Sequence, residues 1–348
     1  AHEPAFHPQP DGSDLQDHRG ALKATLSVND ATLSELFKHT GTTNDLPTLS
    51  RLLAWTELAT AVRTDLGELL LAAELLSPEV ADPFATPTDM LRWLDALEML
   101  RSCGLFIAEQ DYLLRWRPDS PMAPSAEAVA TSITTLRETL RSNPDEEPHG
   151  AVVASLAATT GLLATQIQRL LGLSDTGGVL RDAFTPLASA QPSAAQTQRA
   201  SQAFVRVLKM ARVVAALRLS EEDLGWVVDH PQAVGLRLVL LPVQAPDAPL
   251  GTEWLRLLRW VAVRRDLMAL SRSLATAPGQ PPVVPLTTPE KLVEAAGSAA
   301  TIGAVRTIAD TLTGLDVSTL SALDGDDKTR YQDPVFLARL VEAARAVK

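Results

Sequence analysis

The chain holds one cysteine and six histidines, the side chains most able to carry nucleophilic, acid–base or metal chemistry. A thiol becomes a nucleophile when a neighbouring base or cation lowers its pKa. Cys103 lies in Leu100-Arg101-Ser102-Cys103-Gly104, at a predicted helix end and far in sequence from any histidine. It reads as a structural cysteine, and a single cysteine excludes an intrachain disulfide. His2, His7, His18, His39, His149 and His230 are scattered, three of them in the first twenty residues. Those three read as solvated tail rather than as ligands, which metal sites need in convergent sets. His230 precedes Pro231 and reads as a helix-end histidine facing the negative end of the helix dipole.

The acidic clusters read in the same way. Asp324-Gly325-Asp326-Asp327 resembles a calcium loop but lacks the twelve-residue spacing and terminal glutamate of an EF-hand, so it reads as a solvated turn. Asp145-Glu146-Glu147 lies between Pro144 and Pro148 and reads as a loop, not as paired glycosidase carboxylates. Dinucleotide, P-loop, serine-hydrolase and zincin signatures are absent. The sequence therefore assigns no catalytic, cofactor-binding or metal-binding residue and no cofactor, and the expectation is a non-enzyme.

Composition says what must position any side chain. Hydrophobic residues make up 46% of the 348, charged residues 21% and aromatics 4%. Abundant Leu and Ala with few aromatics favour helix over strand. The formal charge of -11 disfavours phosphate backbones and anionic lipid. No run reaches the roughly 18 apolar residues of a membrane span.

Periodicity places about fourteen helices, the last from Pro334 to Lys348. Leu236 to Val243 is the only strand candidate, weakened by Pro242. Arg256, Arg259, Arg264, Arg265 and Arg272 scatter around the helix Thr252 to Ala275. That favours a buried helix whose arginines snorkel or pair with carboxylates over a membrane-active one. Trp55, Trp93, Trp116, Trp226, Trp254 and Trp260 read as packing residues.

A helix, a tight turn, a capping residue and a second helix recur along the chain. Ala211 to Leu224 is the clearest copy, with Ser220 and Asp223 as a capping box. Ala59 to Leu70 is another, capped by Asp65, and Leu97 to Leu113 has Phe106 at the capping position. Ala24 to Asp30 is a fragment. Val341 to Lys348 matches the first half, so the stripe Leu337, Leu340, Val341 and Ala344 is expected to be partly exposed. The spacing is irregular, which gives an all-α, irregular multi-helix assembly of related hairpins with negligible sheet.

These hairpins carry a family resemblance. Ser50-Arg51-Leu52-Leu53-Ala54-Trp55 through Glu68-Leu69-Leu70, then Asp82-Pro83-Phe84, resembles the A subunit of insecticidal toxin complexes, the Tc toxins. So do Ser102-Cys103-Gly104-Leu105-Phe106-Ile107-Ala108-Glu109-Gln110-Asp111-Tyr112-Leu113-Leu114-Arg115 and the turn Tyr331-Gln332-Asp333-Pro334. The likeness runs from about Leu22 to Lys348. Thr64-Asp65, Gln110 and Cys103 depart from the family pattern and mark a divergent member.

The resemblance implies a structural segment of the helical shell around a toxin-translocation channel, in a large pentameric chain. Implied partners are the rest of its own chain, neighbouring protomers and, indirectly, the toxin-complex partner subunits. Neither nucleic acid nor direct membrane insertion is expected. The implied location is a secreted or released particle, folded first in the bacterial cytoplasm. The expected divisions are a linker or disordered end over 1-21, a helical shell-like region over 22-190, and a second over 191-348 that is truncated at its C-terminal end. A free-standing helical scaffold that binds another protein, or an enzyme with an unrecognised site, are the alternatives.

Overall fold

The computed structural model describes residues 14–77, 82–142, 148–244, 250–275, 288–298 and 300–347. His2, His7 and Asp145-Glu146-Glu147, read above from the sequence, lie outside the described residues. The fold is all-α, and among the described residues the one sheet is a two-residue ribbon, β1 (Ser174–Asp175) antiparallel to β2 (Gly178–Val179). Contacts divide the chain into two compact units, Ala1–Leu97 with Phe106–Asp111, and Glu98–Leu105 with Tyr112–Lys348.

In the first unit, α1 (Arg19–Leu26), α2 (Asp30–Thr40), α3 (Leu46–Ala61) and α4 (Leu66–Leu76) each pack on the next, and α2 also packs on α4. Leu33, Leu36, Leu52, Leu69 and Leu76 fill the space between them. Trp55 lies edge-on to Phe84 and to Trp93, with ring centroids 5.0 and 5.9 Å away. Trp93 belongs to α5 (Pro87–Ser102), which Thr86 caps by accepting from the Asp89 N–H. The following helix is α6 (Ile107–Leu114).

The second unit gathers around two long helices. Onto α10 (Ala194–Ala216) pack α7 (Ala126–Ser142), α8 (Pro148–Thr160) and α9 (Ala164–Leu171). Onto α13 (Gly251–Ala275) pack α12 (Pro231–Val234), α14 (Pro289–Gly297), α15 (Ile302–Thr313) and α17 (Pro334–Val347). α11 (Glu221–Asp229) lies between the two groups: it packs on α9 and α12, and its Trp226 stacks on Trp260 of α13 at 4.4 Å. α16 (Val317–Asp324) follows α15. Among the described residues no single helix is long and apolar enough to cross a membrane.

Several expectations need correction. Residues 14–21 are not linker: Leu15 is fully buried and its N–H donates to the Thr42 carbonyl at 2.7 Å. The division at 190 does not match the contacts, because α7 and α8 pack on α10 across it. Leu236 to Val243 is not a strand: Leu238–Leu240 forms a single 3-10 turn whose Leu238 and Val239 are buried. The strands lie instead on either side of Thr176-Gly177. The stripe on α17 is covered, with Leu337, Leu340, Val341 and Ala344 all buried, and the helix packs on α13 and α15.

The recurring turn has one geometry. A residue with positive φ ends the first helix, an apolar or Thr residue follows, and the next position caps the second helix. Ser27, Arg63 and Arg218 take φ of 54°, 54° and 52°, and Asn29, Asp65 and Ser220 are the caps two residues on. The intervening Val28, Thr64 and Leu219 donate their N–H to the carbonyls of Lys23, Ala59 and Val214, five residues back, at 3.2, 2.9 and 3.0 Å. That 6→1 bond is the Schellman closure, and it satisfies a carbonyl the helix end would otherwise orphan.

Gly104, Gly161 and Gly314 occupy the same position with φ of 84°, 73° and 73°. At the last two the preceding threonine does the closing. The Thr160 and Thr313 hydroxyls donate to carbonyls four residues back and accept from the N–H of Leu162 and Leu315. Where the capping position holds Phe106 or Leu163, neither side chain can accept. Glu109 and Gln166, three residues on, supply the return half of the box from the Phe106 and Leu163 N–H at 3.1 Å each.

A left-handed backbone costs a side-chain-bearing residue roughly 1–2 kcal/mol, partly offset by the greater chain entropy glycine loses on folding. Arg63 and Arg218 are exposed. Arg63→Gly and Arg218→Gly are therefore expected to raise stability by about 0.5 kcal/mol each in urea titration. In the second turn Ser220 and Asp223 exchange two bonds of 3.1 Å. Ser220→Ala is expected to cost about 1 kcal/mol in the same titration.

Candidate functional site

The ionisable groups that stand out are held by internal partners. Asp324 is fully buried at the last position of α16. It accepts from Arg306 Nε at 2.8 Å and Nη2 at 2.5 Å, from the Tyr331 hydroxyl at 2.8 Å and from the Asp326 N–H at 2.9 Å. Burial pushes its carboxyl up, but these four donors and the Arg306 charge together hold it below the usual carboxylate range. The Asp324-Gly325-Asp326-Asp327 string is thus a turn, as expected from its spacing. Its first residue is an internal lock rather than a solvated one.

Asp175, in the β1–β2 ribbon, is a second lock. Arg199 of α10 reaches both its oxygens at 2.9 and 2.6 Å, the Gly177 N–H donates at 2.8 Å, and Arg206 completes the cluster. Burial raises the Asp175 carboxyl less than these partners lower it. A third lock joins Arg264 of α13 to Asp223 and Glu290. Arg345 reaches Asp266 at 3.0 Å, so arginines and carboxylates do pair along α13. The stem of Arg256 lies over Gly235, where a Cβ would come within 2.7 Å of its Cδ; that glycine also has φ of 87°.

Lys209 of α10 is 3% exposed and passes its ammonium beneath the end of α6. Nζ donates to the carbonyls of Tyr112, Leu113 at 3.4 Å, Arg115 at 3.2 Å and Pro242 at 2.7 Å, and lies 4.4 Å from the Tyr112 ring centroid. A cation at last-turn carbonyls is favoured by both hydrogen bonding and the helix dipole. Beside it opens a cleft of about 390 Å³ between α7, α10, Pro242-Val243 and the segment Trp116 to Pro124. Trp116 sits at this cleft, 40% exposed, and does not pack in the core as its type suggests.

The remaining sequence candidates stay apart. Cys103 is half-buried, and its Sγ lies 3.1 Å from the Leu100 carbonyl at the end of α5. His230 ends α11 as expected: Nδ1 is 3.1 Å from the Trp226 carbonyl, and the ring stacks on Trp226 at 4.7 Å. His39 packs against Trp55, and its Nε2 is 3.8 Å from Glu74. Among the described residues no group of three or more His, Cys, Asp or Glu is arranged to hold a metal ion.

Sequence reasoning missed Asp175, Lys209 and the cleft. The only signal for Lys209 was a lone lysine among Val207, Leu208 and Met210, and its acceptors lie 94 to 97 residues away in Tyr112, Leu113 and Arg115 and 33 residues away in Pro242. Compared with known proteins, the chain matches no family model and no curated protein.

His39 yields a pH test. Burial holds its pKa below the ordinary 6.5, although Glu74 and Glu35 act to raise it. The unfolded chain then binds more protons than the folded one below about pH 6.5, so stability falls on acidification and levels off under the folded-state pKa. His39→Gln is expected to flatten the decline in urea midpoint between about pH 7 and pH 5. An identical decline in both proteins would assign it to other groups.

Proposed function

We propose that the chain is a non-enzymatic structural segment of a Tc-toxin A-like protein, part of the helical shell around a toxin-translocation channel. One observation carries this reading: the turns of successive hairpins come to lie side by side. In the first unit Ser27-Val28-Asn29 and Arg63-Thr64-Asp65 line the same hollow of about 400 Å³. In the second, the start of α9 is tied to the turn before α11, with Gln166 Nε2 on the Leu219 carbonyl at 3.0 Å and Thr165 on Glu221 at 2.8 Å. Stacked hairpins build walls and extended surfaces.

The residues that carry the resemblance have packing and capping work in the fold. Trp55, Leu52, Leu69 and Leu70 are core, Asp82 pairs with Arg51, and Tyr331 is bonded to Asp324. Such residues specify hairpin packing rather than a reaction. In this reading the partners are the rest of a larger chain and neighbouring protomers, the toxin-complex partner subunits act only indirectly, and the segment does not itself enter the membrane. The particle is secreted or released after folding in the bacterial cytoplasm.

A second reading, a free-standing scaffold that binds another protein, is favoured by the covered stripe on α17, which leaves that face without need of a further helix.

Expression of the complete natural reading frame, followed by native mass measurement and electron microscopy, separates the two. The shell reading expects a much longer chain assembled with fivefold symmetry around a central channel. A product of about this chain's size, or one without fivefold symmetry, contradicts it and leaves the scaffold.

A further inference from the structure

The cleft between α7 and α10 has the features of a ligand site, and neither the shell nor the scaffold reading uses it. Its volume of about 390 Å³ falls in the range of small-molecule pockets. Its walls are Trp116, Pro118, Pro124, Val129, Val205 and Pro242, so they present flat or branched apolar surface. Trp116 keeps 40% of its surface exposed, whereas Trp93, Trp254 and Trp260 keep at most 2%. Covering such walls releases apolar area, and a flat aromatic occupant covers them best.

The charges around the cleft decide what else the occupant can carry. Lys209 and Arg117 line it, and neither is free. Lys209 is 3% exposed, and four backbone carbonyls surround its ammonium. Arg117 has a partner within the chain, and so do Glu109 and Asp111 of α6 and Arg115 just beyond it. An ion entering the cleft gives up hydration and finds no vacant counter-charge, so the lining selects against ions of either sign.

One polar group is vacant. The Tyr112 hydroxyl has no hydrogen-bond partner among the described residues, the residue's bonded atom being its carbonyl. It is not sealed in the core either, so it opens on the cleft that the residue lines. Burial raises its pKa to about 12, which keeps it a neutral donor. The Ser201 hydroxyl, also in the lining, already donates to the Thr197 carbonyl at 3.0 Å. A half-buried donor without a partner gains from an acceptor brought by a ligand.

We propose that this cleft binds a small uncharged aromatic molecule with one hydrogen-bond acceptor, such as an aromatic ketone. Its ring lies on the apolar walls, and its carbonyl oxygen accepts from the Tyr112 hydroxyl.

The test uses the whole chain and an uncharged fluorescent ketone, 6-propionyl-2-dimethylaminonaphthalene, whose emission shifts to the blue when it leaves water. It is expected to bind saturably at one site. Two competitors share its ring system and differ in one group, uncharged 2-acetylnaphthalene and anionic 2-naphthoate. The ketone is expected to displace the probe at least about tenfold more effectively than the carboxylate. Tyr112→Phe, which keeps the ring beside Lys209, is expected to weaken probe binding about fivefold. Ala130→Trp places bulk on an exposed position of the lining and should abolish saturable binding while leaving the circular dichroism unchanged. Leu53→Gln, at an apolar residue 52% exposed on α3, should leave binding intact. Displacement by the carboxylate as effective as by the ketone, binding that survives Ala130→Trp, unchanged affinity in Tyr112→Phe, or loss in Leu53→Gln overturns the proposal.

Discussion

A helix end leaves four carbonyls without partners, and the next helix start leaves four N–H groups in the same state. The protein meets both demands inside three residues. The left-handed residue turns the chain, the N–H after it closes the first helix, and the side chain after that, or three residues further on, opens the second. Each reversal is short enough to keep consecutive helices in contact, so their apolar faces bury each other. The burial of Leu33, Leu36, Leu52, Leu69 and Leu76 in the first unit follows from that closeness. So does the side-by-side placing of the turns, because Gln166 can both accept from Leu163 and donate to the carbonyl of the neighbouring turn.

Where the chain does not reverse in this way, buried ion pairs set its path. The β1–β2 ribbon is pinned to α10 through Asp175, and the loop between α16 and α17 is pinned to α15 through Asp324. Removing charge from water offsets much of the attraction within such pairs, so they add less net stability than their short distances suggest. Their value is geometric, since a bidentate arginine accepts one arrangement of its carboxylate. Both carboxyls are held below their usual range, so their contribution is present near neutral pH and is lost as pH falls through their folded-state values.

Much of the helical layout was legible because it rests on local rules. Ser220 with Asp223, Asp65, Thr86 before Pro87 and Gly104 each announce a boundary through chemistry confined to a few residues. The four turns found by pattern share the geometry of Ser27, Arg63, Gly104 and Arg218. The turns at Gly161 and Gly314 escaped because threonine closes them, so the string Thr-Gly-Leu was not matched to the others. Non-local features were not legible. The burial of Leu15 depends on pairing with Thr42, and the lock on Asp175 depends on arginines from a distant helix. The cleft needs the end of α6, two helices and Pro242 brought together. The Leu236 to Val243 run has strand composition, yet Leu238–Leu240 closes a 3-10 turn that buries Leu238 and Val239.

Amide hydrogen exchange at Val28, Thr64 and Leu219 tests the central role of the turn most directly. Each N–H lies outside the helices yet donates to a carbonyl five residues back. If these closures hold the hairpins together, the three amides exchange as slowly as the last turn of the helix they close. Exchange at the rate of open loop amides, with the adjoining helices still protected, would show that the helices pack without the turns and contradict the account.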